Sequence, residues 1–339
     1  MKKKNVFFLI VIVLIFGLIM VGCNRTPTTN SSAEKTKQKV TKDGKLNINL
    51  GTATTTGVFY PLGAALAKMW NDKLPDDVTV SSQATDGGVE NLNLMKQGKL
   101  NMGFTTVDVL YHAYNGVEEF KGNAYKDVRV LSVLYPSICQ IVVRKDMKIN
   151  SIADLKGKKF VPGAPGSSTK ILAEQVFGSY GMTLDDVNPQ YVGFTEAANL
   201  MRNKQIAGTI MASGAPASAA IEMITTASGK LLGIGDDQIQ ILTKKYPWLY
   251  KYTIPAGTYE GQNDDVTTVA QNIMLVVPKD MPDGKVYKLT KALWENIKPI
   301  GDVVAAAKGA DLKNATTGLS GIPLHPGAKK FYKEMGVIK

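Results

Sequence analysis

The sequence predicts an α/β protein of two lobes, in each of which helices cover a sheet. Three observations carry that prediction. At 339 residues the chain is too long for one small core. From Lys45 onward, short apolar runs that read as strands alternate with runs that read as helices. Finally, the strand-like run Gln140-Ile-Val-Val-Arg-Lys-Asp146 is echoed in shape by Asn272-Ile-Met-Leu-Val-Val-Pro-Lys-Asp280, which suggests two lobes of related architecture.

The amino-terminal residues form a separate unit. Lys2, Lys3 and Lys4 precede an uncharged apolar run from Val6 to Val21, then Gly22 and Cys23. This is the layout of a secretory signal. An uncleaved anchor is the alternative, although a spanning helix prefers about 20 apolar residues. Met20-Val21-Gly22-Cys23 resembles a bacterial lipobox, with Met20 in place of the usual leucine. The expectation is a signal peptide over 1–22 and a lipid on Cys23. Residues 24–44 are rich in Thr, Ser, Lys, Gln and Asn, so they bury too little surface to fold and read as a flexible tether.

The first folded stretch opens with a strand in which Leu46, Ile48 and Leu50 alternate with polar residues. A helix follows with Leu62, Ala65, Leu66 and Met69 on one face. Between them stand Thr54, Thr55, Thr56 and Gly57, where unpaired N–H groups of a helix N-terminus, together with hydroxyls, can seat a carboxylate. A strand-to-helix turn that binds nothing is the alternative. Further strands are read at Val78 to Gln83, Leu100 to Phe104 and Val128 to Tyr135, with helices entered at Asp86 and Val107.

In the second half, Ser151 to Gly157 reads as a short capped helix. Lys159-Phe-Val161 leads through Pro162-Gly-Ala-Pro-Gly-Ser-Ser-Thr169 into a helix ending near Tyr180. Tyr191 to Phe194 precedes a helix over Glu196 to Asn203, and Ala207 to Ser213 runs into Gly214-Ala-Pro216 and another helix. Each crossing puts Gly, Ser or Thr at the carboxyl end of a strand, where open α/β sheets gather ligands.

Several chemistries are excluded. Gly163 to Lys170 lacks the Gly-Lys-Ser/Thr order of a phosphate loop, so nucleotide binding is rejected. There is no Gly-x-Ser-x-Gly elbow, and neither His112 nor His325 stands beside a candidate nucleophile. The pairs Asp185-Asp186, Asp236-Asp237 and Asp264-Asp265 read as solvated first-turn or loop charges. If Cys23 carries lipid, Cys139 is the lone thiol, a small buried hydrophobe without a disulfide or a metal partner. The formal charge of +11, three units of it in Lys2 to Lys4, is spread without a dense basic run, so nucleic acid is a poor partner. No cofactor and no catalysis are expected.

At Gly51-Thr52, Thr56-Gly57, Tyr60-Pro61 and Gly63 the chain begins to resemble the TAXI-type substrate-binding subunits of TRAP transporters. The match continues through Gly87 to Leu92, Asp108 to Tyr111, Asp154 to Gly157, Gly163 to Ser167 and Gly214 to Pro216. It ends with Ile254 to Tyr259, Gly261-Gln262 and Ile322 to Ala328. The resemblance implies a type II periplasmic-binding-protein fold of two mostly parallel, helix-flanked lobes. It divides the chain into lobe 1 (45–136 and 255–339) and lobe 2 (137–254), closing on glutamate, glutamine or a related carboxylate for delivery to a membrane permease. The lipid and tether would hold the protein on the outer face of the bacterial cell membrane, close to that permease. A surface lipoprotein using the same clamp as a sensor or adhesin is the alternative.

The resemblance also proposes the site. Only Arg25, Arg129, Arg144 and Arg202 are arginines, and none sits in a motif suited to a bidentate carboxylate clamp. The anion would then be held by Thr55, Thr56, Gly57, Gly166, Ser167, Ser168 and Thr169. For an amino acid, Asp108 or Glu90 would pair with the ammonium, and Tyr60 or Tyr111 would wall the pocket. Gly87, Thr105, Thr106 and Gly214 complete the candidate set at strand ends. Thr106-Val107 departs from the family's usual Gln-Ser or Gln-Asn there, Thr54-Thr55 replaces a glycine-rich turn, and Gln140 replaces a histidine.

Overall fold

The computed structural model describes residues 44–339, so the signal segment, Cys23 and most of the tether lie outside the described residues. The chain runs β1 (Leu46–Gly51), α1 (Phe59–Lys73), β2 (Val78–Gln83), α2 (Gly88–Lys96), β3 (Met102–Thr106) and α3 (Val107–Asn115). After β4 (Val128–Arg144) come β5 (Lys159–Val161), α4 (Ser168–Ser179), β6 (Asn188–Pro189), α5 (Phe194–Arg202) and β7 (Gly208–Ser213). Next are α6 (Ser218–Thr226), β8 (Gly229–Leu232), α7 (Asp236–Lys245) and β9 (Tyr250–Ile254). The chain closes with β10 (Val266–Pro278), α8 (Asp283–Glu295), α9 (Ile297–Val303) and α10 (Pro326–Glu334).

All ten described strands join one sheet in the order β2-β1-β3-β10-β4-β7-β5-β6, with β8 on β4 and β9 on β10. Pairing is parallel at both outer ends, β2-β1-β3 and β7-β5-β6, as strand-helix-strand crossings require. The middle is antiparallel, because β10 runs against both β3 and β4. The sheet is therefore mixed.

Two strands cross between the lobes. The seventeen-residue β4 is one strand where the sequence pattern predicts two, Val128 to Tyr135 and a separate run from Gln140. Pro136 causes the split: it cannot donate to a ladder and breaks the apolar rhythm. It is tolerated opposite Asn272, where the register slips between Asn272 and Met274. Along β4, Val128, Val130, Leu131 and Leu134 enter the two first-lobe cores, while Ile138, Cys139, Ile141 and Val142 enter the two second-lobe cores. Strand β10 does the same in reverse, with Val269 and Ala270 in the second lobe and Ile273 and Met274 in the first. Residues 255–270 thus pack on the second lobe, and the chain returns to the first only near Ile273. Pairing of β9 with Val266–Ala270 and the bonds of Tyr259 Oη to Ala217 N (2.9 Å) and Gln140 Oε1 hold that segment there.

Cys139 and His325 have structural roles. Cys139 is buried and free, and burial pushes its thiol up to about 12. His325 is fully buried as the N-cap of α10, its Nδ1 accepting from Gly327 N at 3.2 Å ahead of Pro326. Burial holds its pKa below the usual 6.5. A depressed histidine pKa gives stability that is present above the unfolded value and lost as pH falls below it. Thermal unfolding should therefore lose stability on acidification below pH ~6.5, by at most ~1.4 kcal/mol per pH unit for one proton. His325→Asn, which keeps a cap but not the titration, should flatten that slope. An unchanged slope would assign the acid sensitivity elsewhere.

Candidate functional site

The two lobes meet across a narrow, partly open cavity. Its walls come from the carboxyl ends of strands. The first lobe supplies Ala53, Thr54 and Gly57 after β1, Asp86 to Gly88 after β2, and Thr106 at the end of β3. The second supplies Ala164 and Ser167 to Thr169 after β5, Gly193 and Phe194 after β6, and Ala212 and Ser213 from β7. This is the position that an open α/β sheet reserves for ligands.

The jaws touch around this cavity. Thr56 Oγ1 lies 3.1 Å from Thr195 Oγ1, Glu90 N donates to Gly166 O at 3.2 Å, and Ala219 N reaches Thr56 O at 3.4 Å. Gly193 and Gly88 allow the closest approaches. A β-carbon on Gly193 would stand 2.6 Å from Thr54 Cγ2, and one on Gly88 would stand 2.5 Å from Ser168 Oγ. The lobes are closed on each other.

Two helix N-termini point their polar ends into this space. Gly87 caps α2 with φ of 117°, a backbone angle suited to glycine, and offers no side chain to the helix N–H groups. Ser167 caps α4, accepting from Lys170 N at 3.2 Å and donating to Ala164 O at 2.8 Å. Thr169 Oγ1 accepts from Ala212 N at 3.2 Å and so ties α4 to β7. Ser168 is different: it is 6 % exposed, lines the cavity, and its hydroxyl has no partner. A buried hydroxyl at a helix N-terminus with no internal partner keeps its hydrogen-bonding capacity free.

Among the lining residues there is no Lys, Arg or His, and Asp86 is the one ionisable side chain. Burial, and then the charge of Glu90, raises the Asp86 pKa above the ordinary 3.8. The arginines of the described residues are engaged elsewhere: Arg129 on Lys126 O and Val128 O, Arg144 on Asp146, and Arg202 on Glu222. The cavity thus offers backbone N–H groups and hydroxyls and no cationic side chain.

Of the candidates read from sequence, Gly57, Gly87, Thr106, Ser167, Ser168 and Thr169 line the cavity. The others do not. Thr55 is exposed on the turn, while its neighbour Thr54 faces inward, because α1 opens only at Phe59 and the turn rotates the threonines. Thr56 and Gly166 join the jaws through the contacts above. Tyr60 is half-buried on α1 and Thr105 is buried with its hydroxyl towards Thr106 O. Glu90 accepts from Asp86 N at 2.6 Å, so it orders the α2 turn. Gly214 sits under Tyr135 and Ala306. Tyr111 packs on Trp248.

Asp108 is the sharpest correction. It is fully buried, and its carboxylate accepts from Thr106 Oγ1 (2.5 Å), Val109 N (2.7 Å) and Gln271 Nε2 (3.0 Å). It braces the start of α3 against β10, and its side chain is absent from the cavity lining. Thr54, read from the sequence as part of the anion turn but outside the candidate set, also lines the cavity, as do Asp86, Gly88, Gly193, Phe194 and Ser213, which the sequence reading did not single out. Of these, Thr54 in the hydroxyl-rich turn and Ser213 at the end of a recognised strand carried a signal in the sequence.

A model of the NMT1-like family matches residues 50–336. The chain belongs to the NMT1-like family. Its structure is similar to that of a protein from Bordetella bronchiseptica RB50, at 16 % identity and TM-score 0.54 over 86 % of this chain and 89 % of that one. It is also similar to the periplasmic binding protein BugD, at 13 % identity and TM-score 0.53 over 86 % of this chain and 94 % of the other. This member of the NMT1-like family therefore has the type II periplasmic-binding-protein fold, with its cavity at the strand ends between the lobes. Among the described residues no three His, Cys, Asp or Glu side chains form a metal-holding group, and no helix is long and apolar enough to cross a membrane.

Proposed function

We propose that this protein is the solute-binding subunit of a TRAP-type uptake system of the TAXI kind, clamping a small carboxylate between its lobes for a membrane permease. The observation that carries the reading is the buried, unpartnered Ser168 hydroxyl at the N-terminus of α4, facing a cavity with no cationic side chain in its lining. A carboxylate there would take the free N–H groups of the first turn and the hydroxyl together. Asp86 on the opposite lobe gives an ammonium group a partner, which favours an amino acid over a simple organic acid. Closing removes water and so strengthens every such contact. The lipid on Cys23 and the tether belong to the same reading, since they would hold the clamp beside its permease.

Titration calorimetry of the folded protein against amino acids and small carboxylates tests the ligand class, and no binding by any of them would overturn it. Ser168→Ala should weaken binding of the best ligand about tenfold, the worth of one hydrogen bond to a charged group. Asp86→Asn should weaken amino acids and leave simple carboxylates within about twofold, because a rim-exposed charge interacts only modestly. Equal losses for both classes would remove Asp86 from ammonium recognition.

A further inference from the structure

The lobes also touch away from the cavity, through a residue outside the candidate set. Trp248 lies in the second lobe, between α7 and β9, and follows Pro247. Within its own lobe its ring packs at a tilt on Tyr246, with centroids 5.9 Å apart. The same ring rests on α3 of the first lobe, 5.6 Å from the Tyr111 ring and 5.7 Å, edge to face, from His112. His112 is held in place by Glu119, whose Oε2 is 3.0 Å from Nδ1. Trp248 is thus packed against core residues of both lobes at once.

Two facts mark this as a contact that opening would break. Ile171, one turn after Ser168 on α4, also packs into the first-lobe core, and α4 packs on α7. Any motion that lifts Ser168 from Gly88 would carry Ile171, α7 and the adjoining Trp248 away from α3. In addition, the indole Nε1 is buried with no hydrogen-bond partner. A buried indole N–H without an acceptor favours whichever state exposes it to water, whereas the ring's apolar area favours contact. The ring is therefore held between two opposed tendencies at the lobe interface.

We propose that Trp248 and Tyr111 form an aromatic latch, outside the ligand cavity, whose engagement sets the balance between open and closed lobes and with it the apparent ligand affinity. The inference rests on the clamp reading but not on the identity of the ligand. A latch that adds to closure raises the binding-competent fraction without touching ligand.

Small-angle X-ray scattering on the ligand-free protein tests this directly. Trp248→Ala should shift the protein to a larger radius of gyration, and Tyr111→Ala, from the other lobe, should produce the same shift. The double variant should go no further than either single one. An oxidised Thr54→Cys/Gly193→Cys pair provides the control, since β-carbons at these positions are 3.7 Å apart, within disulfide range. In that locked background Trp248→Ala should leave the radius unchanged, whereas a merely misfolded variant would remain expanded. Identical scattering curves for the wild type and both single variants would overturn the latch. Because no ligand enters the measurement, the latch can fail while carboxylate binding stands, and the reverse.

Discussion

Gly193→Ala should leave the protein folded and weaken ligand binding by ten- to a hundredfold. The added β-carbon would stand 2.6 Å from Thr54 Cγ2 and 3.7 Å from Thr54 Cβ, and no other non-neighbouring atom lies within 4 Å. The clash is therefore entirely across the cleft. Gly193 has φ of −77°, which alanine adopts freely, so its own lobe is not strained. Overpacking of this kind costs about 1–3 kcal/mol, and here that cost falls on the closed state alone. Each 1.4 kcal/mol lowers affinity about tenfold when closure is needed for binding. Thr54→Ser removes the clashing methyl and keeps the hydroxyl, so the double variant should recover most of the loss. Calorimetry with the best ligand measures the loss, and a thermal melt checks the fold. An unchanged affinity would mean that ligand is bound without closure.

Asp108→Ala should act on stability instead, lowering it by about 2–3 kcal/mol in denaturant unfolding. The substitution strands three donors: the Thr106 hydroxyl, the Val109 N–H and the Gln271 amide. Gln271 lies on β10 where that strand passes between the lobes, so the damage is central. Burial raises the Asp108 pKa, against the pull of those hydrogen bonds. A raised carboxyl pKa gives a contribution that is present below the unfolded value and lost as pH rises through the folded one. Removing a buried carboxylate accordingly returns part of the cost at neutral pH, which is why the loss stays below the sum of three orphaned donors. Should affinity collapse while stability holds, Asp108 would be a ligand contact after all.

These two residues show where sequence reasoning reaches its limit. Asp108 looked like a binding residue because it follows a strand end beside two threonines, the position where ligands gather. Its side chain turned inward because Gln271, more than 160 residues later, offers it an amide. Gly193 carries no local signal because a glycine before a helix has many uses, and its close fit is against a threonine on the other lobe. Tyr111 was assigned to the pocket wall, yet its ring faces Trp248. In each case the deciding partner is remote in the chain, and no local pattern encodes it.

The opposite holds for residues whose role is set by their neighbours. Ser167 to Thr169 were legible because an N-cap is a property of four consecutive residues. The alternation of Leu46, Ile48 and Leu50 and the glycine-hydroxyl runs at strand ends pointed for the same reason to residues after β1, β2 and β5 that line the cavity. Periodicity and capping are written within one turn or one strand, so α/β architecture and the capped helix end at the cavity could be read from residue order. The continuous path of β4 through Pro136, the antiparallel centre of the sheet, the inward choice of Thr54 over Thr55 and the fit of Gly193 against that threonine could not. They depend on which surfaces meet when the two lobes pack, and burial of apolar area on both faces of β4 and β10 outweighs the local signals there.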